Sequence, residues 1–360
     1  MNICHVVTCF KAGGAQTFLA SLSIAQKKTS NNVFLISIDH IEKNEFNNSL
    51  LNKLDSNGIN IFSFNRVPGK NLTIINSFRE AIKFFQKNKF DIVNTHLPLS
   101  HLFISSIPLK LTIVNTIHNA PEKTSLLTTY INRSKPKIYC SQSARDLNKF
   151  NGKCTVINNG IEFTKPTNHS KIDIYEELKI PVNSKLVISV GALRPQKNYV
   201  FLTNLIKEHF EGSNIHFLIC GNIVTESNVS NQILDCNLEN LHYLGVKSNI
   251  NDYLNSSDLF LSCSLFEGLP IAVLEAVFQG LPCVLSPIKP HKEIFEGLEG
   301  IYIPSKLESK FFKTEILNHF NSSEVVLKLN NSRQAFIESY RIENTSLEYI
   351  NFYNKVKNEK

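Results

Sequence analysis

Glu267 and Glu275 stand with seven residues between them in the stretch S-L-F-E-G-L-P-I-A-V-L-E-A that begins at Ser264. Residues 258–262 ahead of it read as a buried strand, and residues 271–279 carry apolar side chains at helical spacing, with Pro270 suited to the first helical position. Strand, loop and helix start in that order place unpaired backbone N–H groups and the positive end of a helix dipole at the loop, where a phosphate or sugar-phosphate oxygen is stabilised. Gly268 lets a ligand come close to the backbone. Glu267 falls in the loop and Glu275 in the second helical turn, so the two carboxylates address different parts of a ligand as hydroxyl acceptors. Taken singly, each glutamate is better explained as a solvated or dipole-favoured side chain. The pair with its glycine and proline points to a site.

Arg194 and Lys197 form a second candidate group, placed after the strand-like run 185–190 and ahead of a helical stretch over 198–210. A guanidinium and an ammonium beside Gly191 and a helix start suit a diphosphate; a loop of solvated charges is the alternative. Gly13 and Gly14 follow a first strand-like run over 2–8 and precede a helical face of Phe18, Leu19, Leu22 and Ala25. They lack the G-x-G-x-x-G spacing of a dinucleotide site, and a tight turn explains them as well as a ligand loop does. His96 and His118 each close a strand-like run, where a hydrogen-bonded structural histidine is the ordinary reading. With no second histidine nearby and no cysteine at ligand spacing, no metal site is expected.

These residues need a scaffold of alternating strands and helices. Strand-like runs over 32–38, 60–64, 90–95, 111–117, 137–141 and 154–157 alternate with helical stretches, then the polar segment 165–170 reads as a linker. A second series follows, with strands over 185–190, 215–220, 241–244, 258–262 and 280–286. Alternation of this kind predicts parallel sheets covered on both faces, with ligands at the carboxyl ends of the strands. The chain of 360 residues, 42% hydrophobic, supports two cores.

The double-glutamate motif resembles the E-x7-E signature of the retaining glycosyltransferases of family 4. Gly13-Gly14-Ala15 is similar to that family's N-terminal glycine loop, Asn159-Gly160-Ile161-Glu162 to its interdomain segment, and 190–198 to its phosphate-binding loop. The resemblance implies an α/β GT-B fold, two Rossmann-like domains facing each other across a cleft. Residues 1–164 would be the acceptor-side domain, 165–335 the nucleotide-sugar donor domain, and 336–360 a helix returning to the first. It further implies sugar transfer with retention from a nucleotide-diphosphate sugar, a UDP-sugar, to a hydroxyl of a saccharide or lipid-linked acceptor in cell-surface polysaccharide assembly. Transfer of a hexosyl or N-acetylhexosaminyl group is expected, with no metal cofactor. His118, matching a T-x-H segment, and Glu267 would serve catalysis. Gly13, Gly14, Arg194, Lys197, Gly268, Leu269 and Glu275 would bind the donor. Ala192 stands where the family often has arginine, which leaves Arg194 as the nearest guanidinium. A GT-B nucleotide-sugar epimerase and a non-catalytic sugar-nucleotide module are the competing readings. The first needs further acid/base carboxylates that the strand ends at His96 and His118 do not offer.

A net charge of +7 permits attraction to phosphorylated ligands or an anionic surface, but no long basic block appears and the aromatics sit in core-like runs, which argues against nucleic acid. Eight scattered cysteines without C-x-x-C spacing read as reduced thiols of a cytoplasmic protein. Neither a leader peptide nor a membrane span is expected. Lys123, Arg133, Lys135 and Lys137 around Leu126, Leu127, Tyr130 and Ile131 suggest peripheral contact with an anionic membrane at its inner face; a solvated helix with a buried apolar side is the alternative.

Overall fold

The computed structural model describes residues 1–10, 13–118, 135–148, 152–162, 170–223, 229–322 and 324–359. The chain divides into two compact units, one formed by Met1–Glu162 and Tyr340–Lys360, the other by Phe163–Ser339.

The first unit holds a parallel sheet of β1 (Asn2–Val7), β2 (Asn32–Asp39), β3 (Asn60–Arg66), β4 (Ile92–His96), β5 (Ile113–Ile117), β6 (Lys137–Tyr139) and β7 (Cys154–Val156), in the order 3-2-1-4-5-6-7. Its central strands carry side chains that are buried on both faces, as a sheet covered by helices requires. Helix Asn71–Lys87 buries Ser77, Ala81 and Phe85, a stripe four residues apart. The last helix, Ile342–Asn358, packs Tyr349, Phe352, Tyr353 and Val356 against Phe18, Leu22 and Ala25 of helix Gly14–Lys28.

The second unit orders β8 (Lys185–Val190), β9 (Ile215–Cys220), β10 (Leu241–Gly245), β11 (Leu259–Ser262), β12 (Cys283–Leu285) and β13 (Ile301–Tyr302) as 10-9-8-11-12-13, again parallel. Val187, Phe217, Leu259, Leu261 and Val284 of this sheet pack with Leu202, Leu205 and Ile206 of helix Tyr199–His209. In each sheet the chain starts in the middle and the strand order reverses once, between β1 and β4 and between β8 and β11. Loops leaving the two strands of such a point in opposite directions open a crevice at their carboxyl ends.

Among the described residues six helices arise that the sequence reading does not announce: Pro98–Ser105, Gln142–Asn148, Lys171–Leu178, Lys289–Phe295, Ser309–Phe320 and Val325–Ser339. The first four span eight residues or fewer, too short for a 3.6-residue pattern to stand out. Pro270 is the N-cap of helix Ile271–Gln279 and not its first helical residue.

Candidate active site

In the second unit both switch-point loops carry candidate residues. Behind β8 the backbone turns at Gly191, where a Cβ would lie 2.5 Å from Lys197 Cε, and behind the neighbouring β9 stands Gly221, whose Cβ would meet the Gly191 carbonyl oxygen at 1.9 Å. Only glycine at these positions lets the Lys197 side chain lie back across the strand end. The short turn Pro195–Lys197 then delivers the ammonium to Glu267, Nζ to Oε1 at 2.7 Å.

Glu267 comes from the loop after β11 and is 8% exposed. A carboxylate so far from water needs compensation, and three side chains supply it. Besides Lys197, Ser264 Oγ donates to Oε1 at 2.7 Å and Gln196 Nε2 to Oε2 at 3.0 Å. The two loops are further tied by the Leu265 amide donating to the Gln196 carbonyl. Lys197 spends one of its three donors on this pair and keeps two for an incoming oxygen.

Glu275 is placed differently. Burial pushes its carboxyl up to about 7, against which the nearby Lys197 charge acts in the opposite direction. Among the described residues nothing hydrogen-bonds or ion-pairs with it, so the second glutamate has acceptor capacity to offer where the first is satisfied. Helix Ile271–Gln279 has no side-chain cap and no acidic residue in its first turn, leaving its dipole uncompensated. Gly268 and Leu269 are buried just ahead of it. Arg194 is exposed, and its guanidinium has no partner among the described residues.

At the β1/β4 switch point the first unit assembles histidines. His96 Nδ1 lies 2.9 Å from His118 Nε2, with the rings stacked at 23°, and His96 Nε2 lies 3.1 Å from His5 Nδ1. His5 Nε2 ends on Gln26 Oε1 at 2.7 Å. Desolvation holds His118 and His5 down to about 4 and drives His96 well below the ordinary histidine range, each imidazole also opposing charge on its neighbour in the case of His96. All three are therefore neutral at pH 7. Gly13 and Gly14, both exposed, form the uncapped N-terminus of helix Gly14–Lys28.

The structure thus joins Glu267 to Lys197 and sets Glu275 near that pair, while Arg194 stands apart as a free cation among the described residues. The expectation of no second histidine near His96 or His118 is corrected: parallel register brings β1, β4 and the end of β5 side by side. Sequence reasoning missed Ser264, Gln196, His5 and Asn159. Ser264 lies three residues before Glu267, Gln196 beside Lys197 and Asn159 at the head of the Asn159–Glu162 segment, so each was within sight; His5 comes from β1, 91 positions from His96. Of the basic segment proposed to face a membrane, Lys123, Leu126, Leu127, Tyr130, Ile131 and Arg133 lie outside the described residues. Lys137 is a buried β6 residue, only 8% exposed, so it offers no charge to a headgroup.

Two doubly wound units, each with a polar cluster at its switch point, define a GT-B fold. The structure of HepE from Anabaena in complex with UDP and glucose superposes with a TM-score of 0.81 over 99% of this chain and 100% of that one, at 16% identity. Residues 170–342 match the family described as glycosyl transferases group 1. The UDP-Gal:alpha-D-GlcNAc-diphosphoundecaprenol alpha-1,3-galactosyltransferase of Escherichia coli is 30% identical over 264 residues, 63% of this chain and 67% of the relative. The capsular polysaccharide biosynthesis glycosyltransferase CapH of Staphylococcus aureus is 28% identical over 294 residues, 72% of this chain and 79% of the relative. The chain belongs to the group 1 glycosyltransferases and is a glycosyltransferase. Among the described residues no helix is long and apolar enough to cross a membrane.

Proposed function

We propose that this glycosyltransferase moves a sugar, with retention of anomeric configuration, from a UDP-sugar to a hydroxyl of a saccharide or lipid-linked acceptor in the assembly of a cell-surface polysaccharide. The observation that carries the reading is the pairing of a satisfied, buried Glu267–Lys197 with a nearby Glu275 that has no hydrogen-bonding partner among the described residues. Glu275 accepts hydrogen bonds from ribose hydroxyls. Glu267, oriented by Lys197, Gln196 and Ser264, accepts from hydroxyls of the donor sugar. Arg194, the remaining donors of Lys197 and the backbone at Gly268 and Leu269 stabilise the charge that grows on the diphosphate, while the N-terminus at Gly13 and Gly14 favours an anion in the same way. His118 contacts the transferred sugar from its own unit.

Glu267 is engaged on both oxygens, which makes it a poor nucleophile and favours a front-face reaction. In that reaction the bond from the anomeric carbon to the diphosphate oxygen breaks, the acceptor oxygen bonds to the same face, and the acceptor proton passes to the departing phosphate oxygen. The names of the relatives, a UDP-galactose enzyme acting on a diphosphoundecaprenol-linked sugar and a capsule enzyme, support the donor and acceptor classes. The test is incubation with a panel of UDP-sugars and lipid-diphosphate saccharide acceptors, with NMR of the product linkage. An α-linked product from an α-donor, formed equally well in EDTA, is expected. Inversion, a demand for a divalent ion, or isomerised donor without acceptor overturns the corresponding part.

A further inference from the structure

We propose that His5 and His96 are positioning residues that act through His118, forming with Gln26 a directional wire of neutral imidazoles that fixes the His118 proton on Nε2 and leaves Nδ1 as a hydrogen-bond acceptor for a ligand hydroxyl. The inference rests on the reading of His118 as a sugar-contacting group. Its direction follows from counting protons. A neutral imidazole has one N–H and one lone pair. Gln26 Oε1 can only accept, so His5 donates from Nε2 and must accept at Nδ1. His96 then donates from Nε2 and accepts at Nδ1, which forces His118 to donate from Nε2. The remaining His118 Nδ1 accepts, and the group facing it is a donor, the Asn159 Nδ2 amide at 3.4 Å.

That last link is the longest of the four, and a ligand hydroxyl takes the single Nδ1 lone pair by displacing the Asn159 amide from it. His118 retains 8% exposure where His5 and His96 have 0% and 1%, so among the described residues it is the most exposed imidazole of the wire. The low affinity of all three rings for a second proton keeps the relay from being interrupted by an imidazolium. His96 is also held from behind. Ser100 donates to its carbonyl oxygen and to that of Leu97. Leu97 adopts φ 75° and ψ 147°, a conformation that a leucine rarely takes, at the residue preceding Pro98. Among the described residues Asn159 Oδ1 has no partner, and the Gln26 amide also bears on the Tyr353 hydroxyl, a group that can donate or accept. Turning over both end amides would therefore reverse every hydrogen bond of the wire, which makes direction a measurable property.

The experiment is long-range 1H–15N correlation on histidine-labelled protein, which separates protonated from unprotonated ring nitrogens, in the parent and in Gln26→Met and His96→Phe. The parent should show His118 protonated at Nε2 alone, and Gln26→Met should spread the proton over both nitrogens while the amide spectrum stays folded. A His118 proton on Nδ1 in the parent overturns the direction, and an unchanged tautomer in Gln26→Met overturns the relay. His96→Phe, if it folds, should give the same loss of tautomer preference; retained preference counts against the wire. In the transfer assay Gln26→Met should lower kcat about tenfold and leave the donor KM within about twofold. The spectra are read without substrate, so absence of sugar transfer in the parent would refute the proposed function and leave the wire to be judged on its own.

Discussion

The two switch points use the same topology to opposite electrostatic ends. At β8 and β11 the loops bring together an ammonium and a carboxylate, with a second carboxylate close by whose proton affinity is raised by burial. At β1 and β4 the same geometry assembles three imidazoles, all held neutral by desolvation. A diphosphate brings charge and needs fixed cations; a sugar or acceptor hydroxyl brings none and needs fixed donors and acceptors. On the proposed reading the charged cluster of the second unit takes the diphosphate, with the ribose and donor-sugar hydroxyls met by Glu275 and Glu267, and the neutral cluster of the first unit takes a hydroxyl at His118. Each half of that assignment can be broken separately.

Lys197→Ala should have the largest effect. It strips a buried carboxylate of its counterion and removes a diphosphate cation at once, so turnover should fall by about 100-fold or more and stability by about 3 kcal/mol. Denaturant titration beside steady-state kinetics checks both. In Glu267→Gln, which keeps a hydrogen-bonding group of the same shape, kcat should fall about 100-fold with donor KM near the parent value, whereas Glu275→Ala should raise donor KM about tenfold with a smaller change in kcat. Parent-like kinetics in both glutamate variants would remove the charged half of the contrast.

How far these roles could be read beforehand depends on the range of the interactions. The strands were legible because a parallel strand buried on both faces is a continuous apolar run, and β1, β9 and β11 are such runs. Helix Lys171–Leu178 left a signal that was passed over, the Ser170/Asp173 capping box that begins it. Glu267, Arg194 and Lys197 were legible as loop residues and Glu275 as a residue in the second turn of the following helix. Their pairing was not, since Lys197 and Glu267 are 70 positions apart and meet only through the order of β8 and β11. His5 was invisible for the same reason. It sits inside an apolar strand 91 positions from His96, and only the β1/β4 register makes the two neighbours.

The titration of Glu275 sharpens the contrast at intermediate size. Its folded-state pKa of about 7 lies above the ordinary 4.5, so the unfolded chain releases this proton first. The carboxyl therefore favours the folded state fully below pH 4.5, and that contribution is lost as pH rises to about 7. Relative to Glu275→Gln, the parent should lose up to about 3 kcal/mol across this window and nothing further above it. Ribose hydroxyls donate to the ionised form, so donor affinity should rise through pH 7 in the parent and stay level in Glu275→Gln. Isothermal titration at pH 6 and pH 8 reads this directly; equal pH dependence in the two proteins would show that Glu275 does not face the donor.

The smallest expected effect asks whether the neutral cluster is separable from the core around it. Asn94 points to the same face of β4 as His96, two residues on, and its Nδ2 donates to Tyr353 Oη at 2.5 Å while its Oδ1 accepts from Thr116 at 3.0 Å. Tyr353→Phe leaves a buried amide donor without that acceptor, at a cost of about 1–2 kcal/mol, and should lower Tm by roughly 2–6 °C. Tyr353 also bears on the Gln26 amide, but the oxygen to which His5 donates, Gln26 Oε1, is kept, so the proton count of the imidazole wire is untouched. The His118 tautomer should be that of the parent and kcat within about twofold. A tautomer that shifts in Tyr353→Phe would mean that the hydrogen bonds of β4 and β5 and those of the histidines form one coupled network, and the direction set by Gln26 would then be a property of the whole buried polar layer.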